Sequence, residues 1–304
     1  MTQPLVSVAL CTYNGAEYLQ DQLLSILNQT YPSLELVIVD DRSTDNTLEI
    51  VEELARKDAR IRVYKNEENL GHNLNFSKAC SLCNGAFIAI ADQDDVWERT
   101  KLERMMEQIQ QNPETLLVHC KSARFGSNRN HPSVKSTRLI RYLDGNDPRK
   151  LLLFNHINGH NMLFRKSLLE TALPFPKNVY YDWWIAVMAC CYGQLKHVNE
   201  ILVWHRVHET NATGAAKPVV PFYLQTTTNL QQFATIHALP EQAKNLIKDL
   251  LTEYEKMPGI RFSFRLFVLI MRHAPILFSH KKRIFPWFSY IKFAFRSAHC
   301  NTKA

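Results

Sequence analysis

Three carboxylates within four positions, Asp92, Asp94 and Asp95, close an apolar run that starts at Phe87. Acids this close raise one another's pKa and oppose folding unless positive charge or water reaches them. A divalent cation, a set of Lys/Arg partners or plain solvent at a strand end would each satisfy them. Further along, Asp182 sits between aromatic pairs in Tyr180-Tyr181-Asp182-Trp183-Trp184, and His205, Arg206 and His208 crowd the end of another apolar run. A carboxylate among aromatic rings is desolvated and suits a general base, while Arg and His beside acids suit phosphate oxygens or a metal.

These groups need elements to hold them. Residues 5–11 read as a strand, and 17–28 as a helix with Leu19, Leu23, Leu24 and Leu27 on one face. Residues 34–39 form a second strand, followed by a helix over 48–57 with Thr44 as its N-cap and Asp45 in the first turn. Strands over 61–64 and 86–91 alternate with helices over 75–83 and 99–111. Strand–helix alternation with short connections predicts a parallel sheet covered on both faces, whose ligand lies beyond the carboxyl ends of the strands. Thr12-Tyr13-Asn14, Asp40-Asp41, Asn66 to Asn69 and the 92–95 acids all fall at those ends. Residues 121–149 read as a loop, 151–154 and 162–164 as core, 181–192 as a helix and 201–204 as a strand. Helices follow over 222–236 and 241–256.

Charge is unevenly distributed. The 304 residues carry a net +7, yet ten of the Lys/Arg residues and no Asp or Glu lie from Lys256 onward, which leaves residues 1–255 at −3. The mildly acidic body argues against nucleic-acid binding, and the basic, Phe-rich tail suits an anionic membrane surface as its partner, a helical subdomain packing its Phe residues on the body with Lys/Arg outward, or both. The start of the chain lacks the pattern of a signal peptide, and no apolar run approaches the ~20 residues that span a bilayer. Seven scattered cysteines, with Cys80 and Cys83 in a lone C-x-x-C, fit a reducing cytoplasm.

The stretch "VSVALCTYNGAEYLQDQLLSILNQTYPSLELVIVDDRSTDNT" and the later "ADQDDVW" resemble family 2 inverting glycosyltransferases of the GT-A fold, a Rossmann-like, mostly parallel α/β sheet with helices on both faces. "NGHNMLFRKSLL", "YYDWWIAVMA" and "HRVHETNATG" resemble the bacterial rhamnosyltransferase-like branch that builds surface polysaccharides. The resemblance implies a glycosyltransferase domain over 1–215, with a nucleotide-sugar half to about 120 and an acceptor half beyond, and a helical extension over 216–304. It further implies Mg²⁺ or Mn²⁺ held by Asp94, with Asp92 on the ribose or a metal-bound water and His208 as a further ligand. Thr12, Tyr13, Asn14, Glu17, Ser43, Asn69 and Gly71 would line the nucleotide cleft, with Asp40 or Asp41 accepting from the base and Arg206 clamping phosphate. Asp182 would be the base. Asn158, Gly159 and Asn161 would serve the acceptor, and Trp183 and Trp184 would stack on its sugar. The expected donor is dTDP-rhamnose or a UDP-hexose, and the expected acceptor a saccharide, lipid-linked, handled at the inner face of the cytoplasmic membrane.

Two other classes share features. A haloacid-dehalogenase-type phosphatase also places D-x-D after an apolar strand, with Asp92 as nucleophile and Asp94 as acid, though there the motif follows the first strand. A non-catalytic sugar-binding protein would keep the pocket without turnover. A dinucleotide-binding dehydrogenase fails, because no G-x-G-x-x-G follows the first strand.

Overall fold

The computed structural model describes residues 3–126, 141–208, 220–281 and 286–300. Part of the expected 121–149 loop, the end of "HRVHETNATG" and short stretches of the tail lie outside them.

In chain order the elements are β1 (Val6–Thr12), α1 (Ala16–Leu27), β2 (Leu34–Asp40), α2 (Thr47–Lys57), β3 (Ile61–Lys65), α3 (His72–Ser81), β4 (Phe87–Ala91), β5 (Val96–Trp97) and α4 (Lys101–Gln110). They continue as β6 (Thr115–Gly126), β7 (Met162–Arg165), α5 (Leu169–Ala172), α6 (Tyr181–Tyr192) and β8 (Gln194–Val207), and then α7 (Phe222–Phe233), α8 (Glu241–Tyr254), α9 (Phe264–Arg272), α10 (Ala274–Leu277) and α11 (Pro286–Ser297). One sheet runs β3-β2-β1-β4-β7-β6-β8-β5. The β1/β2, β1/β4, β2/β3 and β6/β8 pairs are parallel; β7 runs antiparallel to β4 and β6.

Strand periodicity explains why both faces are covered. In β1, β2 and β4, Val6, Val8, Leu10, Leu36, Ile38 and Ala89 meet α1, α2 and α4 on one side. Their neighbours Ala9, Val37, Val39, Ile88 and Ile90 meet α3 and α6 on the other. Alternate residues of a strand point to opposite faces, so central strands buried twice read as unbroken apolar runs. Cys80 and Cys83 are buried free thiols in that second layer, and burial pushes the Cys83 thiol up to about 12.

Three local expectations need correction. Residues 121–126 continue β6 instead of opening a loop, and β8 starts at Gln194, well before 201. Their polar residues mask the strand signal because the two strands satisfy each other along their length, across several bulges. Thr44 does not cap α2. Its N–H is taken by Asn14 Oδ1 at 2.8 Å, and Asp45 bonds Thr47 N at 3.0 Å as the helix begins.

The C-terminal helices bury Phe278, Leu277, Ile270 and Ala294 in the same core as α6. Phe154 packs on Phe222, Phe278 and Phe293 with ring centroids 5.6, 5.9 and 5.9 Å away, and His156 stacks on His280 at 4.8 Å. Among the described residues, no helix is long and apolar enough to cross a membrane.

Candidate functional site

The carboxyl ends of β1, β2 and β4 are tied into one rim. Gln93, the middle residue of the Asp92–Asp94 motif, accepts from Tyr13 N (2.9 Å) and donates to Tyr13 O (3.1 Å). Gly15 leaves room for it: a Cβ there would lie 2.3 Å from Gln93 Oε1 and push that amide aside. Asn14 N donates to Ser43 Oγ, Gly15 N to Thr47 Oγ1 and Ala16 N to Asp45 Oδ2. Asn14 and Arg42 both have positive φ, 48° and 67°. Left-handed non-glycine residues cost energy and cluster where a loop is held open for a ligand. Between the ends of β2 and β3, Arg42, Ser43, Thr44, Lys65, Asn66 and Glu67 line a pocket of about 450 Å³.

Asp40 and Asp41 build this rim from inside. Asp40 is fully buried and accepts from Thr12 Oγ1, Ser43 N and Ser43 Oγ. Asp41, also buried, accepts from Asn66 Nδ2, Leu70 N and Gly71 N, while Asn69 Nδ2 donates to Asp41 O. These bonds give both carboxylates a supporting role in the loops, beside the contact with a base expected of one of them. Gly71 adopts φ 75°, which its lack of a Cβ permits. Tyr13 exposes half its surface at the rim, and Glu17 is exposed in the first turn of α1.

The crowded acids are each matched by an imidazole. His160 Nδ1 lies 2.9 Å from Asp92 Oδ2 and 3.1 Å from Asp95 Oδ2. His205 Nδ1 lies 3.1 Å from Asp95 Oδ1, and His208 Nε2 lies 2.8 Å from Asp94 Oδ2. Burial pushes Asp92 upward, but the His160 hydrogen bond and charge outweigh it and hold its carboxyl below the usual range. Asp94 goes the other way: burial, then Asp95 and Asp92, raise it against His208. His160 is itself raised, because Asp95 and Asp92 outweigh its burial.

Sequence reasoning does not single out His160, although it stands inside the Asn158-Gly159-His160-Asn161 segment. It also misses Lys101. That residue is fully buried in the apolar side of α4, donates to His160 O at 2.7 Å, and lies 3.2 Å above the Trp97 ring. Burial pushes its ammonium down to about 7.

For a divalent cation, the residues fit in part. Among the described residues, the three-donor cluster compact enough for an ion is Asp95, His160 and His205, not the expected Asp92, Asp94 and His208. Asp92, expected beside Asp94, lies 2.9 Å from His160 Nδ1. Asp95 is fully buried behind the rim, and its oxygens already face the two imidazoles. Asp94 and His208 remain as an oxygen–nitrogen pair with excess negative charge around it. One carboxylate plus substrate phosphates is a sufficient donor set for Mg²⁺ or Mn²⁺.

Arg206, expected as a phosphate clamp, is buried. Its Nε donates to Asp94 O (2.9 Å), its Nη2 meets Asp21 (2.9 Å), and the Tyr18 and Phe125 rings flank the guanidinium at 4.6 and 4.7 Å. It fixes the loop that carries Asp94.

Asp182 opens α6. Its Oδ1 accepts from Trp183 N at 2.7 Å, and its Oδ2 from Gly159 N at 3.3 Å. Burial pushes its carboxyl up to about 7, more than those two hydrogen bonds lower it. Asn73 sets the approach to the helix by donating to Val179 O and accepting from Tyr181 N. Gly159 is obligatory, because a Cβ would lie 1.9 Å from Tyr181 Oη.

The acceptor-side expectations divide. Asn158 is exposed, whereas Asn161 is buried with its Nδ2 3.2 Å from Ser122 Oγ. Trp183 and Trp184 do not present stacking faces: their indole N–H groups donate to Leu151 O and Ala172 O, and both rings pack on Phe233. Helix α6 is apolar around its circumference and buried along most of its length. Tyr180, just before it, is the aromatic that remains exposed.

A model of "Glycosyl transferase family 2" matches residues 7–173, more than half of the chain. The chain belongs to this family. An uncharacterised glycosyltransferase of Haemophilus influenzae is 31% identical over 67% of this chain and 66% of its own length. A putative teichuronic acid biosynthesis glycosyltransferase, TuaG of Bacillus subtilis, is 41% identical over 34% of this chain and 42% of its own. The matched region thus spans less than two thirds of either relative. Residues 1–349 of S. aureus TarS, solved with UDP-GlcNAc, superpose with a TM-score of 0.65 at 18% identity, covering 90% of this chain and 81% of that one. That likeness identifies the fold as GT-A.

Proposed function

We propose that this family 2 protein is an inverting, divalent-metal-dependent glycosyltransferase. It moves a sugar from a nucleoside-diphosphate donor to a lipid-linked saccharide acceptor in bacterial surface-polysaccharide synthesis. The observation that carries the reading is one segment: Gly159 N–H holds Asp182, and the next residue, His160, holds Asp92. The base and the acids of the donor site are thereby set by adjacent residues. The teichuronic acid relative and the TarS complex with UDP-GlcNAc support the polysaccharide context and a UDP-hexose donor, with dTDP-rhamnose as the second choice.

Asp94 and His208 would hold Mg²⁺ or Mn²⁺, which when bound offsets negative charge on the diphosphate. Asp182 accepts the proton of the acceptor hydroxyl as that oxygen attacks the anomeric carbon. The carbon–oxygen bond to the diphosphate breaks, its electron pair leaves with the diphosphate, and configuration inverts. Arg206 keeps the Asp94 loop in place. The rim from Tyr13 to Ser43, with Asn69 and Gly71, receives the nucleotide.

Incubation with UDP-glucose, UDP-GlcNAc and dTDP-rhamnose in the presence of Mn²⁺ should release nucleoside diphosphate, and Asp94→Ala should abolish that release. Near-normal turnover in this variant refutes the metal assignment. Cleavage of a generic phosphomonoester would instead revive the phosphatase reading.

A further inference from the structure

Helices α9 and α11 each bury one face and expose a second apolar one. In α11, Ser289, Ala294 and Ser297 turn inward. Trp287, Phe288, Ile291 and Phe295 turn outward, and Phe288 is 74% exposed. At 100° per residue those four fall within a single stripe about 100° wide. In α9, Leu266 and Ile270 turn inward while Phe264 and Val268 turn outward. The two helices are joined where α11 ends and α9 begins: Ser263 N donates to Ala298 O at 3.0 Å, and the Phe262 and Phe295 rings are 5.1 Å apart. Exposed basic residues flank the stripes, Arg265 and Arg272 on α9 and Lys292 and Arg296 on α11. No Asp or Glu occurs from Lys256 to the end of the chain.

We infer that this face docks on an anionic membrane surface, with the aromatic stripe in the headgroup–acyl boundary and the Arg/Lys rim on the phosphates. Charge complementarity selects the occupant. An apolar protein partner would cover the Phe and Trp residues but gives no reason for a rim of one sign, whereas an anionic interface satisfies both. Trp and Phe are residues that settle at such an interface. Docking also bears on the site. The helical unit grips Phe154 and His156 through Phe278, Phe293 and His280, and that segment runs directly into Asn158, Gly159 and His160. A lipid-anchored substrate would then approach the side on which Asp182 is held. The inference does not depend on which sugar is transferred.

The test is flotation of the full chain with phosphatidylcholine vesicles, with and without about one third phosphatidylglycerol. The chain should float with the anionic vesicles at least tenfold more than with neutral ones, and raising salt should release it. Trp287→Ser/Phe288→Ser should cut binding more than tenfold. Arg265→Glu/Lys292→Glu should do the same, since each basic residue near such a surface strengthens binding roughly fivefold. Both pairs are exposed, so unchanged melting by circular dichroism is expected alongside. Flotation of both double variants like the parent chain, or equal binding to neutral vesicles, overturns the inference. So does a parent dimer in sedimentation that Trp287→Ser/Phe288→Ser dissociates, because the face would then cover a second copy.

Discussion

Asp182→Asn should make the protein more stable at alkaline pH while removing its activity. The carboxyl has its pKa raised from 3.8 to about 7 by burial. Because the folded-state value is raised, the folded protein keeps a proton that the unfolded chain has released. Stability therefore falls as pH rises from about 4 to about 7, and the lowered value persists above that. A rise from 3.8 to about 7 corresponds to about 4 kcal/mol. Asparagine carries no charge and retains one oxygen for Trp183 N–H, but its amide replaces the oxygen that faces Gly159 N–H, a loss of about 1–2 kcal/mol. The net gain is about 3 kcal/mol at pH 8.5 and close to zero at pH 5. Urea unfolding of both proteins at the two pH values measures it as a shift in midpoint. Diphosphate release should fall at least 100-fold in the variant, and in the parent kcat/KM should be half-maximal near pH 7 and level off above about pH 8. A stability difference that is the same at both pH values would refute the raised carboxyl, and near-parent diphosphate release in the variant would refute the general-base assignment.

Gly159→Ala should cost about 1–3 kcal/mol and more than tenfold in kcat, because the new methyl meets Tyr181 Oη and displaces the N–H that holds Asp182; thermal melting and initial rates measure both. His160→Leu should lower stability by about 3–5 kcal/mol in urea titrations, since it strips Asp92 and Asp95 of their shared partner. Gln93→Ala should raise the donor KM with less than about 1.5 kcal/mol lost in stability, as two exposed hydrogen bonds to Tyr13 disappear. EDTA should abolish diphosphate release, and excess Mn²⁺ should restore it in the parent but not in Asp94→Ala.

The first hundred residues are legible because their strands are buried on both faces and end in polar clusters, a pattern that periodicity alone exposes. The desolvation of Asp182 is legible through its aromatic setting. Side-chain direction is not: nothing in Tyr-Tyr-Asp-Trp-Trp says that both indoles turn inward to Phe233 while Tyr180 stays outside. The loop-supporting role of Asp40 and Asp41 is hidden, because a carboxylate serving a ligand and one serving a loop read alike in sequence. His160 and Lys101 are hidden because their meaning depends on contacts across the sheet, His160 to Asp92 and Lys101 to a carbonyl 59 residues away. The long β6 and β8 pair is only partly visible for a related reason, since each strand borrows its regularity from the other.

Strand β8 carries His205 and Arg206 near its end and His208 one step beyond it, yet its partnership with β6 is irregular well upstream, between His119 and Ser122. Those irregularities set the phase in which the final residues arrive. Adding or deleting one residue after Ile201 would invert every later side chain, sending the imidazole of His205 outward and leaving Asp95 to a neighbour. A surface loop at the cleft can absorb an added residue, but the counting along this one strand cannot. It acts as the ruler for the whole acidic corner.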